Sequence, residues 1–234
     1  MLQRIRAQAT SLARTIMFDV GALPYAILTA QPTWRTHGGK LADLCGARAG
    51  QHLLDLGCGP GESAFGMLER VPGLRVTGLD ISPAMIRFAR LRRRFEREAA
   101  RVEFVLGDAM SLDYPDASFD AVTGHSFLYL VPDATRVLSE VARVLKPGGM
   151  CAFLEPQDAP GPSPLPRAIL RETFRDPRFV TSMALWRVVS RGYGRFGEER
   201  FARSFGDAGL ELIRCHDALS GLGMFGVARK PAGN

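Results

Sequence analysis

Apolar residues recur along this chain in short runs that end in glycine or aspartate, with longer stretches of helical character between them. Leu53 to Leu56, Leu74 to Asp80, Val102 to Leu106, Phe119 to Thr123 and Met150 to Leu154 read as strands. Pro83 to Glu98 and Ala134 to Leu145 read as helices, and a further helix is expected near Glu198 to Ala208. Strands alternating with helices are the pattern of βαβ units, so the fold class is α/β with a mostly parallel sheet. Gly209 to Cys215 and Leu222 to Ala228 read as two closing strands joined by a glycine-containing turn, and a strand at the end of the chain can enter antiparallel. With 234 residues, 46% of them hydrophobic and 23% charged, one globular domain with a sizeable core accounts for the whole pattern.

The chemistry concentrates where the first strand empties into Gly57-Cys58-Gly59-Pro60-Gly61-Glu62-Ser63, which opens a helix. Such a turn brings bare backbone and helix-start amides up to a ligand. A dinucleotide turn, G-x-G-x-x-G, would place its last glycine at position 62, where a pyrophosphate would meet Glu62. A P-loop is excluded as well, because no Gly-Lys-Ser/Thr follows. The turn therefore suits a nucleoside without phosphates. S-adenosylmethionine fits: Asp55 and exposed carbonyls suit its cationic amino and sulfonium groups, and helix amides suit its carboxylate. Taken alone, the glycines are equally explained by an ordinary strand-to-helix turn. Asp80, about 20 residues further on, is placed to bind ribose hydroxyls; its plainer role is that of a helix-start acid, since Ile81-Ser82-Pro83 reads as a cap. Asp108, in Gly107-Asp108-Ala109-Met110 after the third strand, can accept from an adenine amino group, or is simply a loop acid.

Five blocks in order carry a family resemblance: Leu53 to Ser63, Leu79-Asp80-Ile81-Ser82, Gly107-Asp108-Ala109, Tyr114 to Val122, and Val141 to Gly149. With them the chain resembles the class I S-adenosylmethionine-dependent methyltransferases, in the broad small-molecule group of UbiE-like proteins with a methyltransferase type 11 domain. The resemblance spans about residues 50 to 155 and bears on cofactor and fold more than on acceptor. It implies a Rossmann-like seven-stranded sheet with an antiparallel last strand, helices on both faces, and S-adenosylhomocysteine as product. By analogy Asp55, Gly57 and Gly59 border the methionine part, Asp80 the ribose, and Asp108 with Ala109 the adenine. Cys58, Gly61, Ile81 and His125 complete the expected cofactor set.

Two regions fall outside the repeat. Residues 1–50 form an N-terminal helical cap, in which Leu2, Ile5, Leu12, Ile16 and Met17 with Arg4, Arg6 and Arg14 suggest a basic amphipathic helix. Such a helix either packs over its own domain or touches anionic lipid. Arg14 and Asp19 break any long apolar run, so it is neither a membrane span nor a signal peptide. Residues 156–195 open with a proline-rich loop, Pro156 to Pro166, and continue with Leu170, Phe174, Phe179, Met183, Leu185, Trp186 and Val189. This insert is expected to act as a lid that builds the acceptor pocket, the alternative being a helical pair that merely thickens the fold. Residues 196–234 supply the last helix and the closing strands.

A formal net charge of +6 gives a weak attraction to anionic partners. Arg87, Arg90, Arg92, Arg93, Arg94 and Arg97 concentrate on one predicted helix, with only Phe88 and Phe95 between them. That pattern is a solvated face rather than a nucleic-acid surface. Cys45, Cys58, Cys151 and Cys215 lack zinc spacing, so reduced thiols, no metal and a cytoplasmic address are expected, with a peripheral membrane visit left open.

Methyl transfer from a sulfonium is an in-line displacement that alignment alone can largely catalyse. Should a base be needed, His125 at the end of the fourth strand is the best placed group; the alternative is a histidine that only shapes the cofactor pocket. Tyr129 and Glu155 are weaker candidates. The function expected is methylation of a small, amphiphilic acceptor at oxygen, nitrogen or carbon. Two alternatives stand beside it: a phospholipid head-group amine N-methyltransferase, and a non-catalytic S-adenosylmethionine-binding protein.

Overall fold

The computed structural model describes residues 31–158 and 177–233. The amphipathic stretch at residues 2–17, most of the proline-rich passage, Leu170 and Phe174 lie outside them. The described elements are α1 (Pro32–Leu44), β1 (His52–Leu56), α2 (Glu62–Arg70), β2 (Arg75–Asp80), α3 (Pro83–Arg93), β3 (Val102–Leu106), β4 (Phe119–His125), α4 (Ala134–Val144) and β5 (Leu145–Pro156), followed by α5 (Pro177–Tyr193), α6 (Glu198–Asp207), β6 (Glu211–Ala218) and β7 (Gly223–Arg229).

The seven strands form one sheet in the order β3-β2-β1-β4-β5-β7-β6. The pairs among β1 to β5 are all parallel. β7 runs antiparallel to both of its neighbours, as a strand can when a hairpin returns it to the sheet. Alternation along β1 builds the two faces. Leu54 and Leu56 join a core with Val122, Phe153, Phe201 and Phe205, while Leu53 joins Phe65, Val76, Phe104 and Leu154 on the other side.

Three expectations need correction. The arginine-rich helix stops at Arg93, because the Arg93 guanidinium donates to the Ala99 carbonyl at 2.6 Å and the chain turns. Its arginines are also not all solvated: Arg90 donates twice to the Phe104 carbonyl, and Arg92 pairs with Glu62. Arg87, Arg90, Arg94 and Arg97 are exposed, Arg90 with its guanidinium on that carbonyl, while Arg92 and Arg93 are half-buried. The fifth strand is longer than its apolar run, since an irregularity between Phe119 and Ala121 lets β5 pair from Leu145 onward.

α1 packs on α2 with its backbone in contact. A Cβ on Gly66 would strike the Arg35 carbonyl, and one on Gly38 would strike the backbone of Ser63. α1 thus sits directly behind the glycine turn.

Candidate active site

The carboxyl ends of β1, β2, β3 and β4 open into a cavity of about 420 Å³, closed on its far side by α1 and α5. Open α/β sheets place their ligands at this edge. The glycine turn forms its floor. The Cys58 amide donates to the Leu79 carbonyl and the Gly61 amide to the Cys58 carbonyl, so the turn folds over the end of β2. Gly57 has a φ of +63°, and a Cβ there would lie 2.5 Å from the Phe127 ring, so glycine is required twice over.

Asp80 ties strand, turn and helix together. One carboxylate oxygen accepts from the Gly59 amide and the other from the Ser82 amide, each at 2.9 Å, while the Ser82 hydroxyl caps α3 by accepting from Met85. Both roles read from the sequence are thus compatible with one position. Asp108 accepts from the Met110 amide at 2.9 Å, which orients its carboxylate on the cavity wall. Gly57, Cys58, Gly59, Asp80, Ile81, Asp108, Ala109, His125 and Tyr129 all line the cavity.

Asp55 and Gly61 do not. Because Leu54 and Leu56 face the other way, Asp55 points under α2, where it accepts from the Ser63 hydroxyl and, at 3.0 Å, from Thr123. It is fully buried, and desolvation pushes its carboxyl up to about 7 despite those hydrogen bonds. Asp55 thus ties the helix after the turn to the sheet. Gly61 starts α2 against Phe65 and Phe104.

The groups expected to do proton chemistry sit in apolar surroundings. The His125 Nδ1 lies 3.1 Å from the Ser126 hydroxyl, and the ring meets Trp34 edge-on at 5.0 Å. Its Nε2 is buried without a hydrogen-bond partner. Burial first, then His37, lowers its pKa to about 3, so the imidazole is neutral and a weak base at neutral pH. That environment favours the pocket-shaping reading of His125. Glu155 does not line the cavity. It is fully buried and accepts from three successive amides, Phe127 at 3.1 Å, Leu128 at 2.8 Å and Tyr129 at 3.2 Å. Glu155 therefore holds the loop that carries Phe127 and Tyr129 into the cavity wall.

Sequence reading missed Trp34. It enters the cavity from α1, donates from Nε1 to the Ser182 hydroxyl of α5 at 3.1 Å, and meets Phe179 and Trp186 at ring distances of 5.3 and 6.0 Å. Its one sequence signal was an aromatic just inside a proline-started helix. Adjacent Arg35 points the other way, bonding Glu62, Glu69 and Glu96 behind the turn.

The four cysteines are free, and burial pushes the Cys151 thiol up to about 12 and that of Cys58 well above its usual range, which disfavours the thiolate at both. Among the described residues no cluster of His, Cys, Asp and Glu could hold a metal ion, and no helix is long and apolar enough to cross a membrane.

Sheet order, glycine turn and the acids on successive strand ends are those of the class I methyltransferase fold. Residues 54–153 match the methyltransferase domain family. A demethylmenaquinone methyltransferase of Listeria welshimeri is 33% identical over 205 residues, covering 84% of this chain and 85% of that protein. The chain belongs to this family. The ubiquinone/menaquinone biosynthesis C-methyltransferase UbiE of Paracoccus denitrificans is 41% identical over 132 residues, 55% of this chain and 50% of the relative. The chain spans about half the length of that relative and of the 27-O-demethylrifamycin SV methyltransferase of Amycolatopsis mediterranei, which is 41% identical over 126 residues. Among solved structures, the [4+2]-cyclase SpnF superposes with a TM-score of 0.72 at 20% identity, over 95% of this chain and 97% of that one. A geranyl diphosphate C-methyltransferase from Streptomyces coelicolor, solved with S-adenosylhomocysteine, gives 0.61 at 18% identity over 83% and 80%. These two likenesses concern the fold alone.

Proposed function

We propose that this chain transfers a methyl group from S-adenosylmethionine to a small, amphiphilic acceptor that presents a planar, oxygen-bearing ring. The observation that carries this reading is the make-up of the cavity wall. Besides the glycine turn with Asp80 and Asp108, that wall carries Trp34, Tyr129, Trp186 and Tyr193, and Phe127 packs on the turn itself. Flat aromatic walls suit a flat ring by offset and edge contacts. The names of the relatives, which refer to menaquinone, ubiquinone and rifamycin, support an acceptor of that kind.

When bound, the cofactor supplies an electrophilic methyl carried on a sulfonium. Asp80, already oriented by the Gly59 and Ser82 amides, would accept from the ribose hydroxyls, and a carboxylate has lone pairs for both. Asp108, held by the Met110 amide, would accept from the adenine amino group. The turn residues Gly57, Cys58 and Gly59 would border the methionine part. Trp34, Phe127 and Trp186 would hold the acceptor ring against the methyl and exclude water, which leaves alignment as the main source of acceleration. His125, neutral and closed over by Trp34, would shape the pocket. An acceptor that reaches the site as its own oxyanion, or is acidic enough to lose its proton to water, needs no base from the protein. The insert helix α5 would act as the acceptor-side lid, since Ser182, Leu185, Trp186, Val189 and Tyr193 line the cavity.

Calorimetric titration with S-adenosylmethionine and S-adenosylhomocysteine, with NAD as control, tests the cofactor half. Radiolabelled methyl transfer to a panel of hydroxylated aromatics and of head-group amines tests the acceptor half. Micromolar binding of the first two ligands and labelling of the aromatics support the reading. Labelling confined to amines makes this a head-group N-methyltransferase, and binding without any labelling favours a cofactor-binding protein.

A further inference from the structure

Arg187 and Arg191 stand four residues apart on α5, a spacing that sets like charges side by side and by itself weakens a helix. A third arginine folds back onto them. Arg195 donates from Nε to the Ser190 hydroxyl and from Nη2 to the Arg187 carbonyl, each at 3.2 Å. Arg187 is buried, only 8% exposed, and its Nη1 donates to the Gln157 carbonyl just beyond β5 at 2.9 Å. Burial first, then Arg195 and Arg191, hold its guanidinium below the ordinary range, with the exposed Asp158 opposing from a greater distance. Among the described residues, no carboxylate forms an ion pair with any of the three.

Helix capping accounts for one of these arginines. A cation on the last carbonyls of a helix offsets its negative end, and Arg195 serves in that way. It does not account for Arg187, whose bond leaves the helix, or for Arg191, which is exposed. Buried charges in folded proteins are paired, and here the protein's own side chains supply no pair. We propose that Arg187, Arg191 and Arg195 form a subsite for a phosphate group, between the second half of α5, Gln157 and the turn that carries Arg195. Guanidinium forks match pairs of phosphate oxygens, and three positive charges against the single carboxylate of Asp158 leave an excess that a dianion balances. Trp186, Val189 and Tyr193 bring the adjoining face of the same helix to the cavity. An anion held by Arg187 and Arg195 therefore ties the cavity-lining helix to the end of β5. The phosphate is either free in solution or carried by the acceptor. Only the second source rests on the methyl-transfer reading above.

Calorimetric titration of the full chain with inorganic phosphate, at constant ionic strength set by chloride, gives a direct reading. The parent should bind phosphate, and Arg191→Gln should weaken that binding about ten-fold, the worth of one charge-assisted contact. Arg191 is exposed, so the urea midpoint of this variant in chloride alone should match that of the parent and show that it is folded. Arg187→Gln should abolish binding, and Asp158→Asn, which removes the opposing charge, should tighten it about two-fold or more. A parent that does not bind phosphate, or Arg187 and Arg191 variants that bind as the parent does, overturns the proposal. So does binding that appears only in Asp158→Asn, which would make Asp158 the native counter-ion, or binding lost only in Arg87→Gln with Arg94→Gln, which would move the anion to α3. With the subsite established, turnover identifies the source. Phosphate esters of the labelled aromatics with a KM at least ten-fold below that of the parent alcohols, a preference lost in Arg191→Gln, assign the phosphate to the acceptor, and equal KM values assign it to the free anion. Phosphate binding by a protein that does not bind S-adenosylhomocysteine keeps the subsite and removes the methyl-transfer reading.

Discussion

Replacing Glu155 tests whether one buried carboxylate holds the acceptor wall together. The Phe127, Leu128 and Tyr129 amides all end on it, and the loop they belong to leaves β4 through Ser126, a non-glycine residue at a φ of +56°. Glu155→Ala strips the acceptor from three buried N–H groups, each worth about 1–3 kcal/mol when unsatisfied. With partial relaxation the loss is about 3–5 kcal/mol, a large share of the 5–15 kcal/mol typical of a domain. Urea unfolding should show it directly, and S-adenosylhomocysteine affinity should fall because Phe127 packs on Gly57. Glu155→Gln separates geometry from charge. Burial pushes the Glu155 carboxyl from its ordinary 4.5 up to about 7, the three amides only partly opposing the shift. Between those values the unfolded chain gives up the proton and the folded protein keeps it, so the folded state binds more protons and loses stability as pH rises. Glutamine does not titrate. The stability of the parent minus that of Glu155→Gln should therefore drop by about 1.4 kcal/mol per pH unit, about 3 kcal/mol in all between pH 4.5 and 7. A difference that stays flat across this window, or an alanine variant that unfolds with the parent, would refute the assignment.

Asp80→Ala should weaken S-adenosylmethionine binding about 10- to 100-fold, the worth of charge-assisted bonds to two hydroxyls plus the lost anchor on the Gly59 amide, measured by calorimetry; unchanged affinity removes Asp80 from the site. Gly57→Ala should cost more than about 1 kcal/mol of stability, because it combines a left-handed φ with a Cβ driven into Phe127. Adding Phe127→Ala should restore part of that loss, and a double variant no better than the single would contradict the contact. His125 should show no ring titration between pH 5 and 8 by nitrogen NMR, since its pKa lies near 3. His125→Gln should then keep turnover within about ten-fold of the parent with no change in the shape of the pH profile, whereas loss of an acid limb near pH 6.5 would restore the base.

The frame of this fold was legible because its signals are local. A strand run followed by glycines, an aspartate at the end of the next strand, and a third acid after Gly107 are each written in a few consecutive residues, and each lands on the cavity wall. Asp55 shows where residue type misleads. Its side chain is fixed by the alternation of β1, and the neighbours Leu54 and Leu56 already claim the opposite face, so the pleat sends it beneath α2. Glu155 was read as a weak catalytic candidate because nothing local tells a strand-end acid that meets substrate from one that meets backbone. Its partners lie 26 to 28 residues earlier. Trp34 and Ser182 stand 148 residues apart, and only the folded chain brings them together. The arginine run misled in the other direction, since composition cannot show that Arg90, Arg92 and Arg93 have carbonyls and a carboxylate within reach.

α1 joins the two halves of the site through adjacent residues. Arg35 reaches behind the turn to Glu62, itself on the cavity wall, while Trp34 reaches forward to His125 and α5. Consecutive helical side chains diverge by about 100°, so one turn of helix addresses both ends of the cavity. What fixes the helix is backbone contact: with Gly66 against the Arg35 carbonyl and Gly38 against Ser63, α1 cannot slide or rotate on α2 without a clash. The position of Trp34 on the cavity wall is therefore set by the same packing that holds the glycine turn, and on the proposed reading it would limit how deep an acceptor ring can sit. Distance between methyl donor and acceptor is the quantity on which an alignment-driven displacement depends most steeply, so on the proposed reading a glycine-mediated helix contact would help to set it.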